Sequence, residues 1–158
     1  MSVARPIVPP ASPLTRVGAR RDRLSAAAAV VGALGLAIAA YLTYVHYAKL
    51  HAFCLAGDAC ERVQTSRFST LASVPVALIG IVGYATILLS LLARGATGRL
   101  VTAGLCAFGV CLSAYLTWAE LFRIHAVCQW CVASAVLMCV LLGVAAARVV
   151  TGPAALRR

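Results

Sequence analysis

Four cysteines in two pairs are the residues best suited to do chemistry: Cys54 and Cys60, separated by Leu-Ala-Gly-Asp-Ala, and Cys128 and Cys131, separated by Gln129 and Trp130. A thiolate attacks a disulfide sulfur and takes over the bond, so two neighbouring pairs can relay a disulfide. The Cys128-x-x-Cys131 spacing is close to one helical turn, so the two sulfurs can meet, and the free N–H groups of a first helical turn favour the thiolate. In the other pair, Gly57 can turn the chain. Asp58 followed by Glu61 has capping-box character and would start a short helix with Cys60 in its first turn. The same residues have blander uses. Cys54 and Cys60 could staple a loop with a static disulfide. Four thiolates could hold zinc, although the five residues between Cys54 and Cys60 exceed the usual ligand spacing. His51 and His125 could serve as ligands, but interfacial histidines are commoner, and no metal site is expected.

These pairs must be positioned by apolar elements, because 63% of the 158 residues are hydrophobic, 11% are charged and the mean hydropathy is +0.96. A soluble domain of this size needs far more charge to cover its surface. Four apolar runs stand out: Leu24 to Tyr44, Val74 to Leu91, Leu100 to Leu121 and Cys128 to Ala147. As helices each would be roughly 27 to 33 Å long, the thickness of a bilayer's hydrocarbon core. The expected fold is an all-α membrane protein, a bundle of four transmembrane helices with a short outer-face helix in the first loop. The expected organisation is a disordered cytoplasmic tail over 1–23, a membrane domain over 24–149 and a cytoplasmic tail over 150–158. Cys106, Cys111 and Cys139 fall inside the third and fourth runs, where free cysteine is ordinarily a small buried hydrophobe.

The formal charge of +10 orients the chain. In a four-span topology Arg5, Arg16, Arg20, Arg21, Arg23, Arg94, Arg99, Arg148, Arg157 and Arg158 fall on one side, and only Lys49, Arg62, Arg67 and Arg123 on the other. Counting Lys and Arg near the spans places both termini in the cytoplasm and the four paired cysteines on the outer, oxidising face of the plasma (inner) membrane. No aromatic-interleaved basic patch accompanies the charge, so no nucleic-acid partner is expected. The Arg-rich start resembles a signal peptide, but its apolar run is too long and leads into Tyr41 and Tyr44, which suit an interfacial belt.

An internal repeat ties the two pairs together. Residues 40–54 (AYLTYVHYAKLHAFC) and 114–128 (AYLTWAELFRIHAVC) agree without a gap at Ala40/Ala114, Tyr41/Tyr115, Leu42/Leu116, Thr43/Thr117, His51/His125, Ala52/Ala126 and Cys54/Cys128. The first and third helices therefore read as equivalent elements running in the same direction, each delivering a cysteine to one membrane surface.

This order of cysteines resembles the vitamin K epoxide reductase family and its bacterial homologues, over roughly residues 24 to 147. The motifs that carry the resemblance are Cys54, Cys60, Ser66, the run Val74-Pro75-Val76-Ala77-Leu78-Ile79-Gly80 at the start of the second helix, and Cys128-Gln129-Trp130-Cys131. The resemblance implies a four-helix bundle around a quinone of menaquinone, ubiquinone or phylloquinone type. It implies that Cys54 and Cys60 exchange disulfides with a thioredoxin-like extracytoplasmic or periplasmic partner. Electrons would then pass through a Cys60–Cys128 mixed disulfide to Cys131, nearest the quinone, with Ser66 beside the quinone pocket. Ala135 stands four residues after Cys131 where the animal enzymes carry a tyrosine, which favours a bacterial-type quinone reductase over epoxide reduction.

Two other classes compete. Unrelated quinone-linked thiol oxidases of the DsbB type also have four helices and two cysteine pairs, but there the C-x-x-C belongs to the first outer loop. A non-enzymatic small membrane protein with an incidental disulfide is the other. A transporter usually shows an intramembrane charge, and the only candidate, Glu120, falls at the outer boundary of its run.

Overall fold

The structure, a computed structural model, describes residues 13–50, 53–54, 59–71, 74–93 and 95–151. Helix α1 spans Pro13–Ala48, α2 Ala59–Gln64, α3 Val76–Ser90, α4 Ala96–Ala119 and α5 Gln129–Val150. Three of these segments are long and apolar enough to cross a membrane, namely Asp22–Ala48, Ala96–Ile124 and Gln129–Val150. α3 is a shorter apolar helix of 15 residues. The expected second span, 74–91, is cut at its start because Val74 and Pro75 pair antiparallel with Leu71 and Thr70 as strand β2 against β1. Pro75 then stands at the N-cap of α3. Hydropathy alone does not separate such a ribbon from a helix.

The expected disordered tail over 1–23 also needs correction. α1 begins at Pro13, so residues 13–23 are helical; proline suits a first helical turn because its missing N–H has no helical partner to lose. Residues 1–12 and 152–158 lie outside the described residues.

One core joins α1, α3, α4 and α5. Ala28 and Ala39 of α1, Tyr84 and Ile87 of α3, Cys106 of α4, and Met138, Leu141 and Ala145 of α5 form one buried cluster. Gly35 makes that packing possible, since a Cβ there would overlap the Tyr84 ring. The hydroxyls of Ser90 and Thr102 hydrogen-bond at 2.8 Å, joining the end of α3 to the start of α4. Large apolar side chains also cover the outside of the bundle, among them Leu34, Val82, Leu89, Phe108 and Val136. Such a surface suits lipid and not water. Of the three cysteines expected to be buried in the spans, only Cys106 is; Cys111 and Cys139 face outward. Hydropathy places a residue within a span and does not choose the face it occupies.

α1 and α4 end at the same end of the bundle, as the repeat implies, and both stop at a residue in the left-handed region, Lys49 with φ 51° and His125 with φ 54°. They differ in length. α4 continues through a single π turn, Glu120–Ile124, before the chain reverses into α5. Such turns often mark functional sites.

Candidate redox site and the cavity beneath it

α2 carries Cys60 in its first turn, with Cys60 and Val63 both buried. Cys54 and Cys60 are joined in a disulfide with a Cα separation of 6.0 Å. Gly57 and Asp58, read as hinge and cap of this loop, lie outside the described residues. Cys60 and Val63 pack with Ala126 and Cys128 in a second buried cluster, against which Cys54, Ile124, Trp130 and Cys131 also pack. All four paired cysteines therefore meet at one place, where the C-terminal ends of α1 and α4 converge on the N-terminus of α5.

The residue before Cys54 is held by the C-x-x-C itself. The indole N–H of Trp130 donates to the Phe53 carbonyl at 2.8 Å, and the Gln129 amide donates to the same oxygen at 3.3 Å. The Phe53 N–H donates to the Tyr41 hydroxyl at 3.1 Å, and the rings of Tyr41 and Trp130 are 5.1 Å apart. These contacts fasten the loop cysteine to α1 and α5 together.

Cys128 occupies the N-cap of α5 in extended geometry. Its sulfur is the site's electrostatic focus. The Cys131 thiol donates a hydrogen bond to it and, although burial opposes the charge, the N–H groups of Cys131 and Trp130 add to the effect, holding Cys128 below the usual thiol range. The Cys128 N–H, which a helix start leaves without a helical partner, donates to Glu120 Oε2 at 3.1 Å. Glu120 is only 3% exposed, and its carboxylate lies beside the Cys131 thiol.

Below the cysteines lies a largely apolar cavity of about 370 Å³, walled by α1, α3, α4 and α5. Cys131 and Glu120 line it, as do Tyr84 and Ser134, whose hydroxyls hydrogen-bond at 2.9 Å. Gln64 of α2 also lines it, and its buried Nε2 has no hydrogen-bond partner among the described residues. Ser66 does not line this cavity but stands beside it. Its hydroxyl donates to the Val63 carbonyl at 2.7 Å, and it lines a neighbouring pocket of about 570 Å³ together with Lys49 and Glu61. The turn at Arg67–Ser69 begins at Ser66 and directs it there.

The sequence matches the model of the vitamin K epoxide reductase family over residues 26–146. This chain belongs to the vitamin K epoxide reductase family. It is thus a multi-pass membrane protein of a thiol–disulfide oxidoreductase family whose members work with quinones and thioredoxin-like partners. No curated protein matches the chain.

Within this vitamin K epoxide reductase framework, reasoning from the sequence passed over three features. Glu120 was legible as the one acid inside an apolar run, and the repeat pairs it with His46, which lines the same cavity. The Tyr84–Ser134 pair left no signal beyond two polar side chains in apolar helices. The Phe53 clasp rests on a main-chain carbonyl, which no residue type announces.

Proposed function

We propose that this chain is a quinone-reducing disulfide oxidoreductase that keeps a thioredoxin-like partner oxidised on the outer side of the membrane. One observation carries the reading: Cys60 and Cys128 share a buried cluster, while Cys131, one turn beyond Cys128, lines the apolar cavity. The C-x-x-C thereby connects a protein-facing disulfide to a space suited to a lipid-soluble ring. The cavity fits a quinone: its walls are apolar, a thiol stands at one end, and the unpartnered Gln64 Nε2 can donate to a ring carbonyl.

The chemistry balances in three steps. A partner dithiol reduces the Cys54–Cys60 disulfide and leaves as a disulfide. The Cys60 thiolate attacks Cys128 of a Cys128–Cys131 disulfide, releasing the Cys131 thiolate; Cys54 then attacks Cys60 and releases Cys128. A thiol held below its usual range leaves readily, so the environment of Cys128 favours this resolution. The bound quinone supplies an acceptor for two electrons and two protons.

The four-span topology with cytoplasmic termini completes the proposal. α3 serves as the fourth span, lengthened by the ribbon that precedes it. Arg99 and Arg148 lie at the end of the bundle remote from the cysteines, on the side that the Lys and Arg count makes cytoplasmic. Purified protein in detergent, supplied with a reduced thioredoxin-like donor and decylubiquinone, should form quinol. C128S and C131S should lose all turnover, whereas C54S and C60S should lose the protein donor yet retain turnover with dithiothreitol. No quinol from the wild type would overturn the reading.

A further inference from the structure

Glu120 is an acid in an unusual place. It follows the last residue of α4, inside a segment apolar enough to cross a membrane, and is 3% exposed. A buried carboxylate is costly unless hydrogen-bonded, and the donor closest to Glu120 comes from the active centre. The Cys128 N–H reaches its Oε2 at 3.1 Å, and the Cys131 thiol lies beside the same carboxylate. The π turn that begins at Glu120 and the reversal through His125 bring this side chain against the start of α5. The carboxylate also lines the cavity, as Cys131 does.

We propose that Glu120 is the catalytic base of the C-x-x-C, accepting the thiol proton of Cys131 as that sulfur is oxidised and returning it within the cavity. This deepens the quinone-reducing reading and rests on it for the identity of the oxidant. The step starts from Cys128 as thiolate, the form its surroundings favour, and Cys131 as thiol. Oxidation removes two electrons from the two sulfurs, breaks the Cys131 S–H bond and forms one S–S bond. The Cys131 proton goes to a Glu120 oxygen. The two electrons go to the quinone, which needs two protons to become quinol. Glu120 returns one, and solvent supplies the other, equal to the one Cys128 released on ionising. A base must lie within hydrogen-bond reach of the proton it takes, and among the described residues Glu120 is the carboxylate that does. His46 and Tyr84 are the other titratable side chains lining the cavity, and neither is among the groups that bear on the Cys131 thiol.

The competing role is structural: Glu120 would merely cap α5. Glu120→Gln separates the two, because the amide oxygen can still accept the Cys128 N–H but cannot take up a proton at neutral pH. In single turnovers of pre-reduced protein with decylubiquinone, E120Q should form quinol at least tenfold more slowly than wild type at pH 7. Its rate should climb about tenfold per pH unit as hydroxide replaces the missing base. E120D, which restores a carboxylate, should recover part of the rate. A second readout needs no quinone. In the infrared spectrum of the reduced, quinone-free protein, the S–H band lost in C131A should shift to higher frequency in E120Q, where the stronger acceptor is gone. An E120Q rate equal to wild type, or lowered equally at every pH, overturns the proposal, as does an S–H band that does not move. If wild-type protein forms no quinol, the quinone reading fails, and Glu120 is tested instead by the band and by the pH dependence of C-x-x-C oxidation with diamide.

Discussion

The indole of Trp130, inside the C-x-x-C, donates its hydrogen bond to the carbonyl of Phe53, the residue that precedes Cys54, at 2.8 Å. The second cysteine pair therefore holds the first in place through a main-chain atom, and the two pairs form one mechanical unit. A relay of thiolate attacks needs its sulfurs within bonding reach at each exchange, and a small displacement lowers the rate steeply.

Trp130→Phe keeps the ring beside Tyr41 and removes only the donor. One neutral hydrogen bond contributes about 0.5–1.5 kcal/mol, so transfer from a protein donor should slow about two- to tenfold. Turnover with dithiothreitol, which can reach the C-x-x-C directly, should be unchanged. Stopped-flow measurement with both donors checks this; an equal loss with both would place the role of Trp130 at the C-x-x-C chemistry and not at the loop.

Gln64 supplies the second prediction. Its buried Nε2 lacks a partner among the described residues and lines the cavity, and an unmet buried donor is costly until something accepts from it. Gln64→Leu should raise KM for decylubiquinone about two- to tenfold with little change in kcat, the mark of lost binding common to ground and transition states. A changed kcat with constant KM would remove Gln64 from the quinone contact.

The environment of Cys128 predicts a pH profile. The Cys131 thiol and the N–H groups of Cys131 and Trp130 favour the thiolate, so its titration is lowered from the ordinary thiol range. Alkylation of reduced protein with iodoacetamide should therefore reach its plateau at Cys128 at a lower pH than for an unperturbed thiol. Cys131→Ala removes the first of those donors, and the plateau should move to higher pH. Mass spectrometry of the labelled peptide reads both; an unmoved profile would deny Cys131 that role.

Much of this architecture is written in residue types. The cysteine pairs show by identity and spacing, the long helices by apolar runs that have only a bilayer to explain them, and the convergence of α1 and α4 by the repeat. What stayed hidden depends on direction or on the main chain. Val74 and Pro75 are as apolar as the helix they precede, so the shortening of α3 comes from strand pairing that hydropathy does not register. Ser66 sits at the expected spacing from Cys60, yet its hydroxyl donates back to the Val63 carbonyl of α2, and it lines an adjoining pocket. Glu120 reads as a boundary acid until a π turn brings it against the cysteines.

The route between the pairs yields the last prediction. Cys60 and Cys128 are both fully buried and belong to one cluster, held there by Val63 of α2 and Ala126 ahead of α5. Cys54 is only half-buried, so it is the sulfur that an incoming partner can reach, and Cys60 is the one turned toward the C-x-x-C. An attack by Cys60 on Cys128 makes a mixed disulfide that normally has two ways out, since Cys54 can attack Cys60 and Cys131 can attack Cys128. A Cys54→Ala, Cys131→Ala double variant closes both. Under oxidising conditions it should accumulate an intramolecular Cys60–Cys128 bond as its dominant crosslink, found by peptide mapping without reduction. The bond should form with little change in fold, because the partners already share one packed cluster. Two free thiols under the same conditions, or a dominant bond between two molecules, would mean that the two pairs do not exchange through these sulfurs.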